Sequence, residues 1–220
     1  MESFVDLFTA GGIVMIPLLI FSLLAIALIV ERLVFWIRIN RQQRRVVREI
    51  LTAFQHDPDS TVSRLKKHAD LPIARIFLEA MELPQLSPDG FRLALESATQ
   101  AELPLLRRFN TVFDIIISAA PLLGLLGTIL GLIRSFSSLE LGDLNASNAA
   151  GVTGGISEAL VSTAAGMAIA IFTLTFANLF RSLYRRQLAL IQEYGGQLEL
   201  LYLCRYEREH GHVLIGSRQP

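Results

Sequence analysis

Ile115–Ile133 reads IIISAAPLLGLLGTILGLI, and this charge-free run decides the fold. As a helix it spans about 28 Å, close to the roughly 30 Å hydrocarbon core of a bilayer. Two further runs match it. Gly11–Val30 reads GGIVMIPLLIFSLLAIALIV, and Ala159–Phe180 reads ALVSTAAGMAIAIFTLTFANLF. One such run could be a buried core helix. Three in 220 residues would need a globular core too large for the chain. The expected fold is an all-α membrane protein with transmembrane helices at 11–30, 115–133 and 159–180, whose helices extend far into the cytosol.

Composition points the same way. The chain is 52% hydrophobic and only 18% charged, where a soluble domain carries about 25%. Its mean hydropathy is +0.46. This apolar content excludes intrinsic disorder. Twenty Lys+Arg against 20 Asp+Glu leave no basic surplus, so no nucleic-acid partner is expected. The single cysteine, Cys204, cannot form an internal disulfide or a multi-cysteine metal site. Lys66 and Lys67 are the only lysines; every other basic residue is arginine.

The first run is not a cleavable leader by its flanks. Glu2 and Asp6 precede it, and Glu31-Arg32 follows where a leader needs small residues. Orientation follows from the arginines. Arg32, Arg38, Arg41, Arg44, Arg45 and Arg48 follow the first span. Arg107 and Arg108 precede the second, and Arg181, Arg185 and Arg186 follow the third. All fall on one side if the N-terminus lies outside. The loop between the second and third spans sets Arg134 against Glu140 and Asp143 and suits the outer side. The layout expected in a bacterial inner membrane is therefore a periplasmic N-terminus at 1–10 and a cytosolic helical loop at 31–114. A periplasmic loop follows at 134–158, and a cytosolic helix and tail at 181–220.

The cytosolic segments read as helix. Glu31–Phe54 continues the first helix until Asp57-Pro58-Asp59-Ser60 breaks it. Asp59 or Ser60 is expected to cap the next helix, which runs through Lys67. Leu71–Leu83 is apolar-periodic, and Ser87-Pro88-Asp89-Gly90 is another start signal. From Phe91 a single helical pattern runs into the second span, bent at Pro104 and Pro121. Arg181–Glu209 reads as helix and Gly211–Pro220 as a loose tail.

The first span offers only Ser22, Gly11, Gly12 and Pro17 as small or polar residues and suits a lipid-facing helix. The other two are two-faced. In the second, Ala120, Gly124, Gly127, Thr128, Gly131 and Ser135 share an arc of about 100°. In the third, Glu158, Ala159, Ser162, Thr163, Gly166, Ala170, Thr173 and Ala177 share about 140°. Bulky residues fill the remaining surface. Close helix packing through Gly127-x-x-x-Gly131 explains the glycines as well as a pore does. Glu158 is costly if it faces lipid; snorkelling to water is its ordinary alternative. Thr128 and Thr163 both lie roughly 7 Å below the same boundary. Each could bond its own backbone, or the two could line a shared polar cavity.

APLLGLLGTILGLI (Ala120–Ile133) and GGISEALVSTAAGMAIAI (Gly154–Ile171) resemble the second and third spans of the MotA/TolQ/ExbB proton-channel family. The three-span, N-out layout with a long cytosolic loop resembles its ExbB branch most and TolQ second. The resemblance implies a homo-oligomer, a pentamer, whose second and third helices enclose a pore. It implies that helices of an ExbD-like single-span partner occupy that pore and carry the proton on an aspartate. A TonB-like protein then transmits force toward the outer membrane. Thr128, Thr163 and Glu158 match the proton-pathway positions, with Ser162 replacing an alanine. Gly124, Gly127, Gly131, Gly166 and Ala170 form the packing or pore face.

The residues agree in one respect. Neither the second nor the third run contains Asp, Glu, Lys, Arg or His, although a proton relay needs a titratable group. The carrier is therefore expected on another polypeptide. Alternatives are a TolQ-like envelope-maintenance subunit and a passive membrane scaffold. An enzyme has little support. There is no phosphate-cradling GxxxxGK and no nucleophile elbow. His210-x-His212 is a weak metal motif. No catalytic residue, cofactor or metal is expected. Arg38–Arg48 could meet anionic lipid headgroups, though positive-inside topology already explains those charges.

Overall fold

The computed structural model describes residues 11–83, 86–139 and 146–216. The expected N-terminal segment 1–10, Glu140 and Asp143 of the outer loop, and the last residues of the tail lie outside them. Among the described residues are six helices and no strand: α1 (Met15–His56), α2 (Pro58–Lys67), α3 (Pro72–Met81), α4 (Pro88–Leu106), α5 (Asn110–Leu139) and α6 (Ala146–Gly216). Three stretches, within α1, α4–α5 and α6, are long and apolar enough to cross a membrane. The chain divides into two compact units. One comprises Met1–Arg32 with Phe109–Arg181, the other Leu33–Arg108 with Ser182–Pro220.

Several local features differ from expectation. The pattern from Phe91 is not one helix. It breaks at Arg107–Phe109, where Phe109 adopts a φ of 67°. A left-handed residue ends a helix because it turns the next N–H away from the ladder. Pro104 lies inside α4 and Pro121 inside α5, and the helices run through both. The cap of α2 is Asp57, whose carboxylate accepts from the Ser60 N–H at 3.3 Å. Asp57 rather than Asp59 or Ser60 holds this position because Pro58 takes the first helical turn, where its missing N–H costs nothing. α5 runs to Leu139 and α6 starts at Ala146, so helix occupies much of the 134–158 segment. The α6 backbone also continues through Gly216, into the expected tail.

In the first unit, the opening turn of α1 packs on α5 and α6. Val14, Leu18, Ala120 and Ala170 form a buried cluster with Leu123, Ala165 and Ile169 against it. α1 is therefore not wholly lipid-facing. Val14, Leu18, Ala25 and Ile29 are buried, while Ile16, Ile20, Leu23 and Val30 are exposed. Phe113 and Phe180 meet at the other end, with ring centroids 5.8 Å apart.

In the second unit, α1 buries Trp36, Ile39, Gln43, Val46, Val47, Ile50 and Phe54, one stripe at helical spacing. α6 answers with Tyr184, Gln187, Ile191 and Leu198. Gln187 Nε2 donates to Gln43 Oε1 at 2.7 Å inside this core. α3 is short and almost wholly buried, through Ile73, Ala74, Ile76, Phe77 and Ala80. Ser87 caps α4 by accepting from the Gly90 N–H at 3.2 Å. Two contacts tie α4 in. Arg75 on α3 forks onto Glu102, with both bonds 2.6 Å. Tyr202 on α6 stacks on Phe91 with centroids 4.0 Å apart, and its hydroxyl donates to the Leu86 carbonyl at 2.7 Å.

Two predictions follow from these ties. The Arg75 guanidinium is held above its ordinary pKa, first by the hydrogen bonds it donates to Glu102, so it stays charged throughout. Arg75→Gln leaves the Glu102 carboxylate without its fork and costs about 2 kcal/mol, read as a lower unfolding midpoint. Tyr202 is raised above the ordinary phenol value, first by burial. A raised folded pKa favours the neutral form, so this contribution is complete below pH about 10. It is lost as pH rises through the folded value. Tyr202→Phe should flatten that alkaline decline in a melting-temperature series.

Candidate functional site

The second and third spans meet through residues without bulk. A Cβ at Gly131 would stand 2.5 Å from the Gly155 carbonyl oxygen, and one at Gly155 2.6 Å from that of Gly131. A Cβ at Gly124 would stand 2.9 Å from the Ser162 carbonyl oxygen, and one at Gly166 2.5 Å from that of Ala120. At Gly127 it would strike the Ser162 side chain. These neighbours are mostly backbone, which cannot yield. Glycine is required here for close approach, the membrane use of small residues. The face assigned to packing or to a pore is thus occupied, within one chain, by α5–α6 packing. Ala170 is buried beside it, in the cluster with Ala120.

The hydroxyls sit at this seam. Ser162 is fully buried; its Oγ donates to the Ala159 carbonyl at 3.0 Å and lies 3.4 Å from that of Gly124. Thr163 Oγ1 crosses between helices to donate to the Gly124 carbonyl at 3.1 Å. Thr128, one turn further along α5, turns back and donates to Leu125 of its own helix at 2.6 Å. Both threonines are half-buried. Ser162 and Thr163 are therefore brought together with Gly124. Thr128 keeps the local backbone bond typical of a hydroxyl in a membrane helix.

Charge closes both ends of the same helix pair. Glu158 is buried, at 8% exposure. Arg134 Nη1 reaches its two carboxylate oxygens at 2.8 and 2.6 Å. The segment leading into α1 covers this carboxylate. Gly12 has a φ of 68°, and a Cβ there would collide with the Glu158 side chain. At the opposite end of the hairpin, Arg181 donates to Asp114. Glu158 is thus an ion-paired group beneath α1, not a snorkelling surface charge.

Sequence reasoning did not pair these groups. Arg134 counted only toward topology, and Asp114 was not singled out. The signal lay in position. Asp114 and Arg134 flank one apolar run, and Glu158 and Arg181 flank the next. An antiparallel hairpin brings the first of these four opposite the last.

The packing makes a sharp contrast testable. Gly131→Leu should abolish recovery of folded protein in mild detergent, because the Gly155 backbone cannot move aside. Gly154, where a Cβ would meet nothing within 4 Å, should accept alanine with normal yield and a gain of about 0.5–1 kcal/mol in stability.

Residues 68–193, more than half the chain, match the MotA/TolQ/ExbB proton channel family. The chain is 64% identical over 193 residues to a Synechocystis sp. protein named biopolymer transport protein ExbB-like 3, covering 88% of this chain and 92% of that one. It is 41% identical over 198 residues to ExbB-like 1 of the same organism, covering 90% and 78%. The matched region contains the Gly124–Thr163 seam and both terminal ion pairs, and the chain belongs to the MotA/TolQ/ExbB proton channel family.

Proposed function

We propose that this chain is an ExbB-like, non-enzymatic subunit of a motor driven by the proton-motive force in a bacterial inner membrane. Its N-terminus lies in the periplasm and its C-terminus in the cytosol. Copies assemble as a pentameric ring, and helices of an ExbD-like partner run through the ring. A TonB-like protein takes up the force for outer-membrane uptake. The names of both relatives, as biopolymer transport proteins, support the transport reading.

One observation carries the mechanism. The seam between α5 and α6 holds the hydroxyls of Thr163 and Ser162, with Thr128 one turn away. The apolar runs themselves contain no ionisable side chain. Hydroxyls both donate and accept, so such a wall can stabilise a partner carboxylate in either protonation state. It cannot carry the proton itself. Large apolar side chains stay exposed on the same helices, among them Leu122, Leu125 and Ile129 on α5 and Leu160, Met167 and Ile171 on α6. A surface of that kind supports burial against lipid and neighbouring subunits.

The scaffold reading also has an observation in its favour, since each threonine hydroxyl already bonds a backbone carbonyl. Substitution separates the two. In cells lacking their own subunit, Thr163→Val and Thr128→Val should each lower proton-dependent uptake about tenfold or more, the worth of one hydrogen bond. Assembly on native gels should be normal, and Thr163→Ser should restore uptake. Full uptake in both valine variants would leave the hydroxyls a packing role only.

A further inference from the structure

We propose that a cleft in the second unit, between α1 and the turn joining α2 to α3, binds a phosphate-bearing anion. This site is independent of the proton pathway. The cleft has a volume of about 780 Å³. Arg41 and Arg45 line it from α1, and Lys66 and Lys67 from the end of α2. The only two lysines of the chain thus converge with two arginines from a separate helix. Glu49 and Asp70 are the acidic groups on the same walls.

Internal pairing does not neutralise the cleft. Glu49 is taken by Arg64 at 3.1 Å, and Lys66 by Glu82 at 3.0 Å. Among the described residues no carboxylate is ion-paired with Arg41, Arg45 or Lys67. These three cations face Asp70 alone, a surplus of two positive charges. The end of α2 favours lysines through its dipole, which accounts for Lys66 and Lys67. It does not account for Arg41 and Arg45. Like charges four residues apart on a helix repel, at about 0.2–0.5 kcal/mol, and here a second basic element is packed opposite them. An anion in the cleft removes that repulsion. Two guanidinium forks and an ammonium suit the oxygens of a phosphate or pyrophosphate group, and concave walls concentrate the field.

The phosphate could belong to a soluble molecule or to a lipid headgroup. Position along α1 favours the soluble source. Arg41 lies eleven residues past Val30, about 16 Å of helix, whereas the headgroup layer adds only about 5–8 Å per leaflet.

The test uses the full chain in phosphatidylcholine nanodiscs, titrated with inorganic pyrophosphate and followed by calorimetry. Wild type should show saturable binding. The Arg45→Gln/Lys67→Gln double variant should bind at least tenfold more weakly, while Arg205→Gln, outside the cleft, should match wild type. Native mass spectrometry from discs containing phosphatidylglycerol identifies the source. Wild type retaining more of that lipid than the double variant assigns the cleft to a headgroup, and equal retention assigns it to a soluble phosphate. Absence of saturable pyrophosphate binding, or equal affinity in wild type and double variant, would overturn the proposal.

Discussion

The close contact of α5 with α6 is the constraint on which the first unit depends. Gly131 and Gly155 bring two backbones so near that neither position admits a side chain. A bilayer provides no hydrophobic force to hold helices together, so van der Waals contact and interhelical hydrogen bonds must do it. The Thr163 and Ser162 hydroxyls meet the Gly124 carbonyl because the glycines let them reach it. Arg134 with Glu158, and Arg181 with Asp114, then hold the two ends of the pair. Removing Arg134 would leave the buried Glu158 carboxylate uncompensated, the costly case for a buried charge.

The segment leading into α1, with the helix's first turn, completes the first unit. Gly12 uses a backbone conformation that other residues adopt only under strain, and its lack of a side chain admits the Glu158 carboxylate. Val14 and Leu18 then fill the space beside Ala120 and Ala170. A segment that carries no ionisable group still contributes to the electrostatics of its neighbours by covering the Glu158 carboxylate, whose attraction to Arg134 is stronger away from water than in it.

Much of this was legible from residues alone, for reasons that can be named. The apolar runs show their length directly, and the period of small residues marks one face of α5 and one of α6. Ser87 caps α4 because its spacing to Gly90 is a local signal. The ambiguous part was what the small face meets. Periodicity states that a face is special and cannot state whether another helix of the same chain covers it. The ends were hidden for a different reason. Asp114, Arg134, Glu158 and Arg181 become partners only when the hairpin folds, and a scan for charge along the chain registers them as topology. The break at Phe109 has no composition signal, since a left-handed phenylalanine is rare and the helical pattern continues through it.

The central claim is that this subunit supplies a hydroxylated wall and borrows its proton carrier. Its most direct test is proton flux into liposomes under an imposed membrane potential, read with an internal pH dye. The purified chain alone should pass no more protons than empty vesicles. Co-reconstitution with a single-span partner bearing a membrane carboxylate should open a flux that is lost when that carboxylate is replaced by its amide. Proton flux through the chain alone would contradict the account.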